Sequence, residues 1–140
     1  MTLLKKEDLL KKDELDVKKV EFKSGDYVFV REMTGRERDA FERSLFKEVQ
    51  GKNGEIEYQR NIQDFRAKLA VCTLCDENGT LVLSFSDYSK LSQSMSASKL
   101  EKIVNIAQKI NNISEEDAEN LGDSSEVDQK DSSTSNSANN

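Results

Sequence analysis

The most reactive side chains in the sequence are Cys72 and Cys75, separated by Thr73 and Leu74 in a C-x-x-C spacing. Such a pair can act as a redox couple or supply half of a zinc site. Zinc takes four ligands, and the 140-residue chain offers two cysteines and no histidine. Redox pairs usually sit at a helix N-terminus, where the dipole lowers the thiol pKa. Here Ile62, Phe65, Leu69 and Cys72 recur at helical spacing, which puts Cys72 on an apolar stripe near the C-terminal end of a helix. This position predicts buried structural thiols.

Carboxylates are the next candidates, since a pair in a suitable setting does acid/base work. Glu32, Glu37, Asp39 and Glu42 alternate with Arg31, Arg36, Arg38 and Arg43, the pattern of a solvated, salt-bridged face. Without histidine, the Ser-His-Asp and Cys-His nucleophile arrangements and every His-ligated metal site are excluded. No Gly-rich phosphate loop occurs, and Gly51-Lys52-Asn53-Gly54 reads as a turn. Lys5, Lys6, Lys11, Lys12, Lys18, Lys19 and Lys23 could suggest a nucleic-acid arm, but six acids interleave with them and leave a net of +1. These residues predict no enzyme, no cofactor, no metal and no nucleic-acid partner.

The elements that hold these residues can be read from periodicity. Residues 1–16 pair leucines with charged residues and predict a partly ordered arm, with a turn or two of helix around Glu7–Lys12. Val17–Phe22 and Tyr27–Met33 alternate around Ser24-Gly25-Asp26, which predicts a β-hairpin. Thr34-Gly35-Arg36-Glu37 is a capping box, opening a helix over Gly35–Gln50 with Phe41, Leu45 and Val49 buried. A short extended piece, Glu55–Tyr58, leads to a helix over Asn61–Cys75. Thr80–Phe85 alternates and predicts one further strand, and Ser86 could cap a short turn containing Tyr88 and Leu91. Leu100, Ile103, Val104, Ala107 and Ile110 mark a third helix, and Ser114 with its acids a short fourth one. The fold class is α+β: a small domain with an N-terminal β-hairpin, one further strand and three to four helices, plus a disordered C-terminal tail. Its divisions are an arm (1–16), an α+β domain (17–122) and an acidic Ser/Asn-rich tail (123–140).

Composition agrees with one modest core. Leu, Ile, Val and Phe make up about a quarter of the chain, a little above the ~20% below which chains stay disordered, and all but Leu121 and Val127 precede residue 114. The net charge of −6 is segregated: residues 114–140 carry −7 and the rest +1. No apolar run is long enough to span a bilayer, and the first residues do not read as a signal peptide. A cytoplasmic protein is expected, with no membrane partner.

One stretch, Tyr27-Val-Phe-Val-Arg-Glu-Met-Thr-Gly-Arg-Glu-Arg-Asp-Ala-Phe-Glu42, resembles the front half of the tail assembly chaperones of long-tailed, siphovirus-type bacteriophages and prophages. Phe65-Arg-Ala-Lys-Leu-Ala-Val-Cys-Thr-Leu-Cys-Asp-Glu-Asn-Gly-Thr80, Leu83-Ser-Phe-Ser-Asp87, the run around Leu100–Asn112 and Ile113-Ser-Glu-Glu-Asp117 are similar to the later segments of that family, in the same order. The resemblance covers roughly residues 5–122, and the order and spacing of the pieces carry it. It implies a non-enzymatic protein that binds the tape measure protein, keeps it soluble and helps recruit tail tube subunits. It also implies work in the bacterial host cytoplasm and absence from the mature virion. The alternative is a structural tail-completion or connector protein retained in the particle. A tape measure protein is long and helical, so its partner must cover apolar helix faces reversibly. The arm, through Leu9 and Leu10, and the third helix, through Leu100 and Ile103, are the expected contact residues. The acidic tail is expected to keep the complex soluble, and so thin a core makes self-association reasonable.

Overall fold

The computed structural model describes residues 1–113. The helix expected at 114–122 and the tail 123–140 lie outside the described residues. The fold is a small α+β domain.

After α1 (Lys6–Leu10) the chain forms β1 (Val17–Glu21) and β2 (Tyr27–Arg31), an antiparallel hairpin with Val20 opposite Val28 and Lys19 opposite Phe29. Gly25 takes a positive φ of 93°, which closes the turn without the steric penalty that a Cβ would bring. Ser24 Oγ also donates to the Asp26 carboxylate. α2 (Gly35–Arg43) begins at the expected capping box: Thr34 Oγ1 accepts from the Glu37 amide at 3.2 Å, and Glu37 accepts from the Thr34 amide at 2.9 Å.

The long helix expected over Gly35–Gln50 is two elements. α2 stops at Arg43, Leu45 is fully buried, and Phe46–Gln50 becomes β3, paired with β4 (Ile56–Arg60). The apolar residues Phe46 and Val49 are three apart, a helical spacing, but the turn at Gly51–Gly54 offers residues 46–50 a partner strand. The cross-strand ladder then outweighs a weak helical preference. Val49, expected on the helix's buried stripe, lies half-buried on this strand.

The helix expected over Asn61–Cys75 is shorter at both ends. α3 runs Phe65–Val71, preceded by Asp64 in the left-handed conformation (φ 61°) with its carboxylate held by Ser92 Oγ at 2.7 Å. Ile62, expected on the buried stripe, is exposed. At the other end Thr73 turns its hydroxyl back to the carbonyls of Leu69 and Ala70, a bond that competes with continuing the helix. Leu74–Cys75 then form β5, which pairs with β2 to give a sheet of order β1-β2-β5.

The strand expected over Thr80–Phe85 shrinks to a single bridge between Leu81 and Cys75. β5 has two residues and already pairs with β2 on its other side, so it offers no longer ladder. Instead Asp87 accepts from the Ser84 amide at 2.9 Å, opening a helical turn at Phe85–Asp87 and then α4 (Tyr88–Ser94). Ser84 rather than Ser86 therefore starts this segment.

α5 (Ala97–Ile110) begins at Ser96, whose hydroxyl accepts from the Lys99 amide. It packs on α3 and across β1 and β2. The core comprises Val20 and Val30 from the sheet, Phe41 and Leu45 from the α2 region, Leu69 and Ala70 from α3, and Leu100, Ile103, Val104 and Ala107 from α5. Asn111 joins the end of α5 to the start of α2. Its Oδ1 accepts from the Met33 amide at 2.7 Å, its Nδ2 donates to Ala107, and its carbonyl accepts from Arg38. Each polar group of this buried residue is thus satisfied, as burial requires.

Candidate interaction surface

The charged and sulfur groups that could do chemistry hold the fold together. Cys72 and Cys75 lie at the end of α3 and on β5, half-buried and buried. Burial pushes the Cys72 thiol up to about 11, with the Glu37 carboxylate adding to the effect. The Cys75 thiol is also raised, chiefly by burial. With a pKa near 11, about one Cys72 in a thousand would be a thiolate at pH 8. Native protein should therefore give almost no fast reaction with DTNB, and two thiols should appear on adding denaturant. Rapid native labelling of both would contradict this placement.

Arg31 and Glu37 form an ion pair at 2.7 Å, with the arginine side chain 7% exposed and the glutamate 30%. Burial alone would raise the Glu37 pKa, but the Arg31 hydrogen bond, the Thr34 amide, the Arg31 charge and the Thr34 hydroxyl outweigh it and hold the carboxyl below 4.5. Arg31 NH1 also donates to the Glu32 carbonyl. The pair ties β2 to the first turn of α2. Lys68 plays a related part: its Nζ donates to the Ser44 carbonyl at 2.9 Å and sits 5.2 Å from the Tyr88 ring centre. Burial lowers its pKa, against the pull of Asp64. Among the described residues no group of three or more His, Cys, Asp or Glu side chains could hold a metal ion.

What remains is exposed apolar surface, and the sequence located only part of it. Leu9 and Leu10 are 65% and 76% exposed on α1, as a contact arm would need. Leu100 and Ile103 are not at the surface. Ile103 is fully buried and Leu100 nearly so, because the apolar stripe of α5 is the face that packs on α3 and the sheet. The exposed face of α5 carries Lys99, Glu101, Lys102, Asn105 and Lys109. Those two residues are therefore core rather than contact residues, and α5 has no spare apolar stripe to lend.

A second apolar surface lies where a helix was expected. In the β3–β4 hairpin, Phe46 faces Arg60, Glu48 faces Tyr58, and Gln50 faces Ile56. Directly opposed residues share a face, so Phe46, Tyr58 and Ile56 line one side while Lys47, Val49, Glu57 and Gln59 take the other. All three apolar side chains on that side are exposed. The signal in the sequence was limited to Ile56 and Tyr58, two apart after a Gly-bounded turn. The helical spacing of Phe41, Leu45 and Val49 masked it.

The class defined by this geometry is a small α+β domain with two apolar projections, a leucine arm and a one-sided hairpin. Compared with family models, curated proteins and solved structures, the chain matches none. Among the described residues no helix is long and apolar enough to cross a membrane.

Proposed function

We propose that this protein is a tail assembly chaperone of a siphovirus-type phage or prophage. It binds the tape measure protein in the bacterial cytoplasm, keeps it soluble and helps bring tail tube subunits to it, and is left behind when the virion matures. The ordered resemblance over residues 5–122 supports the reading. The observation that carries it physically is the placement of exposed apolar side chains on elements outside the core: Leu9 and Leu10 on the arm, and Phe46, Ile56 and Tyr58 on the hairpin. A long helical client needs its apolar faces covered and later released, and side chains on small projections can do that without disturbing the domain that bears them.

Co-expression with the tape measure protein encoded by the same phage tests the proposal. Wild type should raise the soluble fraction of that protein several-fold. Leu9→Glu/Leu10→Glu and Ile56→Lys/Tyr58→Glu should each lose most of the effect while remaining folded. No gain in solubility with wild type would refute the chaperone reading, and stoichiometric presence of the protein in purified virions would favour a retained tail component.

A further inference from the structure

We propose that the N-terminal arm of one copy covers the apolar face of the β3–β4 hairpin of a second copy. Each element is incomplete alone. α1 has five residues, far below the ~12–15 at which an isolated helix becomes even marginal in water. A two-stranded hairpin is likewise marginal unless a further strand or a helix covers it. The hairpin suits one-sided cover, since Phe46, Tyr58 and Ile56 share a face and the opposite face, Lys47, Val49, Glu57 and Gln59, carries one apolar side chain, itself half-buried. Among the described residues nothing covers the apolar face: Ile56 and Tyr58 are 64% and 68% exposed, and the arm's leucines are equally bare.

Charge favours pairing the two. Lys5–Lys12, which spans α1, carries four lysines against Glu7 and Asp8, a net of +2. Glu48–Glu57, the outer part of the hairpin, carries Glu48, Glu55 and Glu57 against Lys52, a net of −2. The carboxylates of Glu55 and Glu57 both crowd over Gly51, within 2.8 Å of where a Cβ would stand, concentrating negative charge at the tip. A hairpin is two strands wide, so lysines flanking a helix laid on one face can reach its rims.

Area decides the form. At roughly 100 Å² for each exposed large side chain, Leu3, Leu4, Leu9 and Leu10 against Phe46, Ile56 and Tyr58 cover about 700 Å². That is short of the ~1,200 Å² at which specific interfaces become stable, whereas two such contacts in a reciprocal exchange reach about 1,400 Å². The two-fold dimer, each arm on the other's hairpin, is the smallest closed form. Its test requires no client and is separate from that of the chaperone reading, although a client would have to displace the arms from these same side chains.

Sedimentation equilibrium on the full chain at about 100 µM should give the mass of two chains, with dissociation on dilution. Leu9→Glu/Leu10→Glu and Ile56→Lys/Tyr58→Glu should each sediment as monomers, with unchanged circular dichroism. An equimolar mixture of the two variants should regain a dimer, because one supplies an intact arm and the other an intact hairpin. A monomeric wild type, a dimer surviving either substitution, or a mixture that fails to pair would each overturn the proposal. Amide exchange in wild type reads the contact without substitution. Protection of residues 56–60 that grows with concentration supports it, and protection independent of concentration, as when an arm lies on its own hairpin, overturns it.

Discussion

Ile103→Glu should leave the protein without a cooperative unfolding transition at 37 °C, and Ile103→Ala should keep the fold but lose about 3 kcal/mol. Ile103 is fully buried at the centre of α5, among side chains from the sheet, α3 and the α2 region. Truncation to alanine forfeits the transfer energy of three carbons and leaves a cavity, since the surrounding core is anchored by three other elements and cannot collapse freely. Glutamate adds the cost of an unpaired buried carboxyl, which a small domain with ~5–15 kcal/mol of stability cannot absorb. Urea titration followed by circular dichroism measures both. A folded Ile103→Glu protein with a wild-type midpoint would mean that this face of α5 is not core. The result also governs how binding experiments are designed. Loss of client solubilisation by a Leu100 or Ile103 variant would report unfolding, so contacts are tested at Leu9, Leu10, Ile56 and Tyr58 instead.

Glu37→Ala is expected to cost about 2 kcal/mol, less than the ~3–5 kcal/mol of breaking a fully buried pair because the glutamate is partly exposed. Two losses combine in it. The Arg31 guanidinium, 7% exposed, loses its carboxylate, and the Thr34 amide loses its acceptor at the start of α2. The pH dependence identifies the cause. Folding lowers the Glu37 pKa below 4.5, so this group's stabilisation is complete above that value and fades as pH falls through the folded pKa. Wild-type stability should therefore drop below about pH 4.5 more steeply than that of Glu37→Ala, and the two curves should converge in acid. Parallel curves from pH 7 to pH 3 would show that the ion pair contributes nothing. Glu37→Gln retains an acceptor for the Thr34 amide without the charge, so it should fall between the two.

Some features were legible because their cause is local. The Thr34–Glu37 capping box needs only two side chains three residues apart, and both hydrogen bonds form as expected. The first hairpin pairs about its Gly-containing turn, since alternation and turn chemistry lie within fifteen residues. The α5 stripe is apolar as its spacing predicts, but its partner was not legible. The sequence shows that Leu100, Ile103, Val104 and Ala107 share a face, and periodicity is silent on whether that face meets the chain's own sheet or another protein. Leu9 and Leu10 were expected as contact residues of the arm, and they lie exposed on α1.

Other features depended on what arrives from elsewhere in the chain. Residues 46–50 carry a helical apolar spacing, and Ile56–Arg60, across the turn, decided for the strand. Thr80–Phe85 had the stronger strand pattern but found only Leu74–Cys75 beside it, so one bridge formed and the rest turned toward α4. The raised Cys72 pKa combines both levels: the position of Cys72 at the end of a helix was readable, while the Glu37 carboxylate that adds to the effect of burial came from α2.

By itself the sequence determined the absence of histidine chemistry, the segregation of charge into residues 114–140, the α+β class, the Thr34–Glu37 capping box and the first hairpin. All of these arise from composition or from interactions a few residues long. Only the tertiary structure decided that Leu100 and Ile103 are core and that Phe46, Ile56 and Tyr58 stand bare on a second hairpin. An apolar residue is driven from water wherever it lies, and which neighbour covers it depends on contacts distant in the chain.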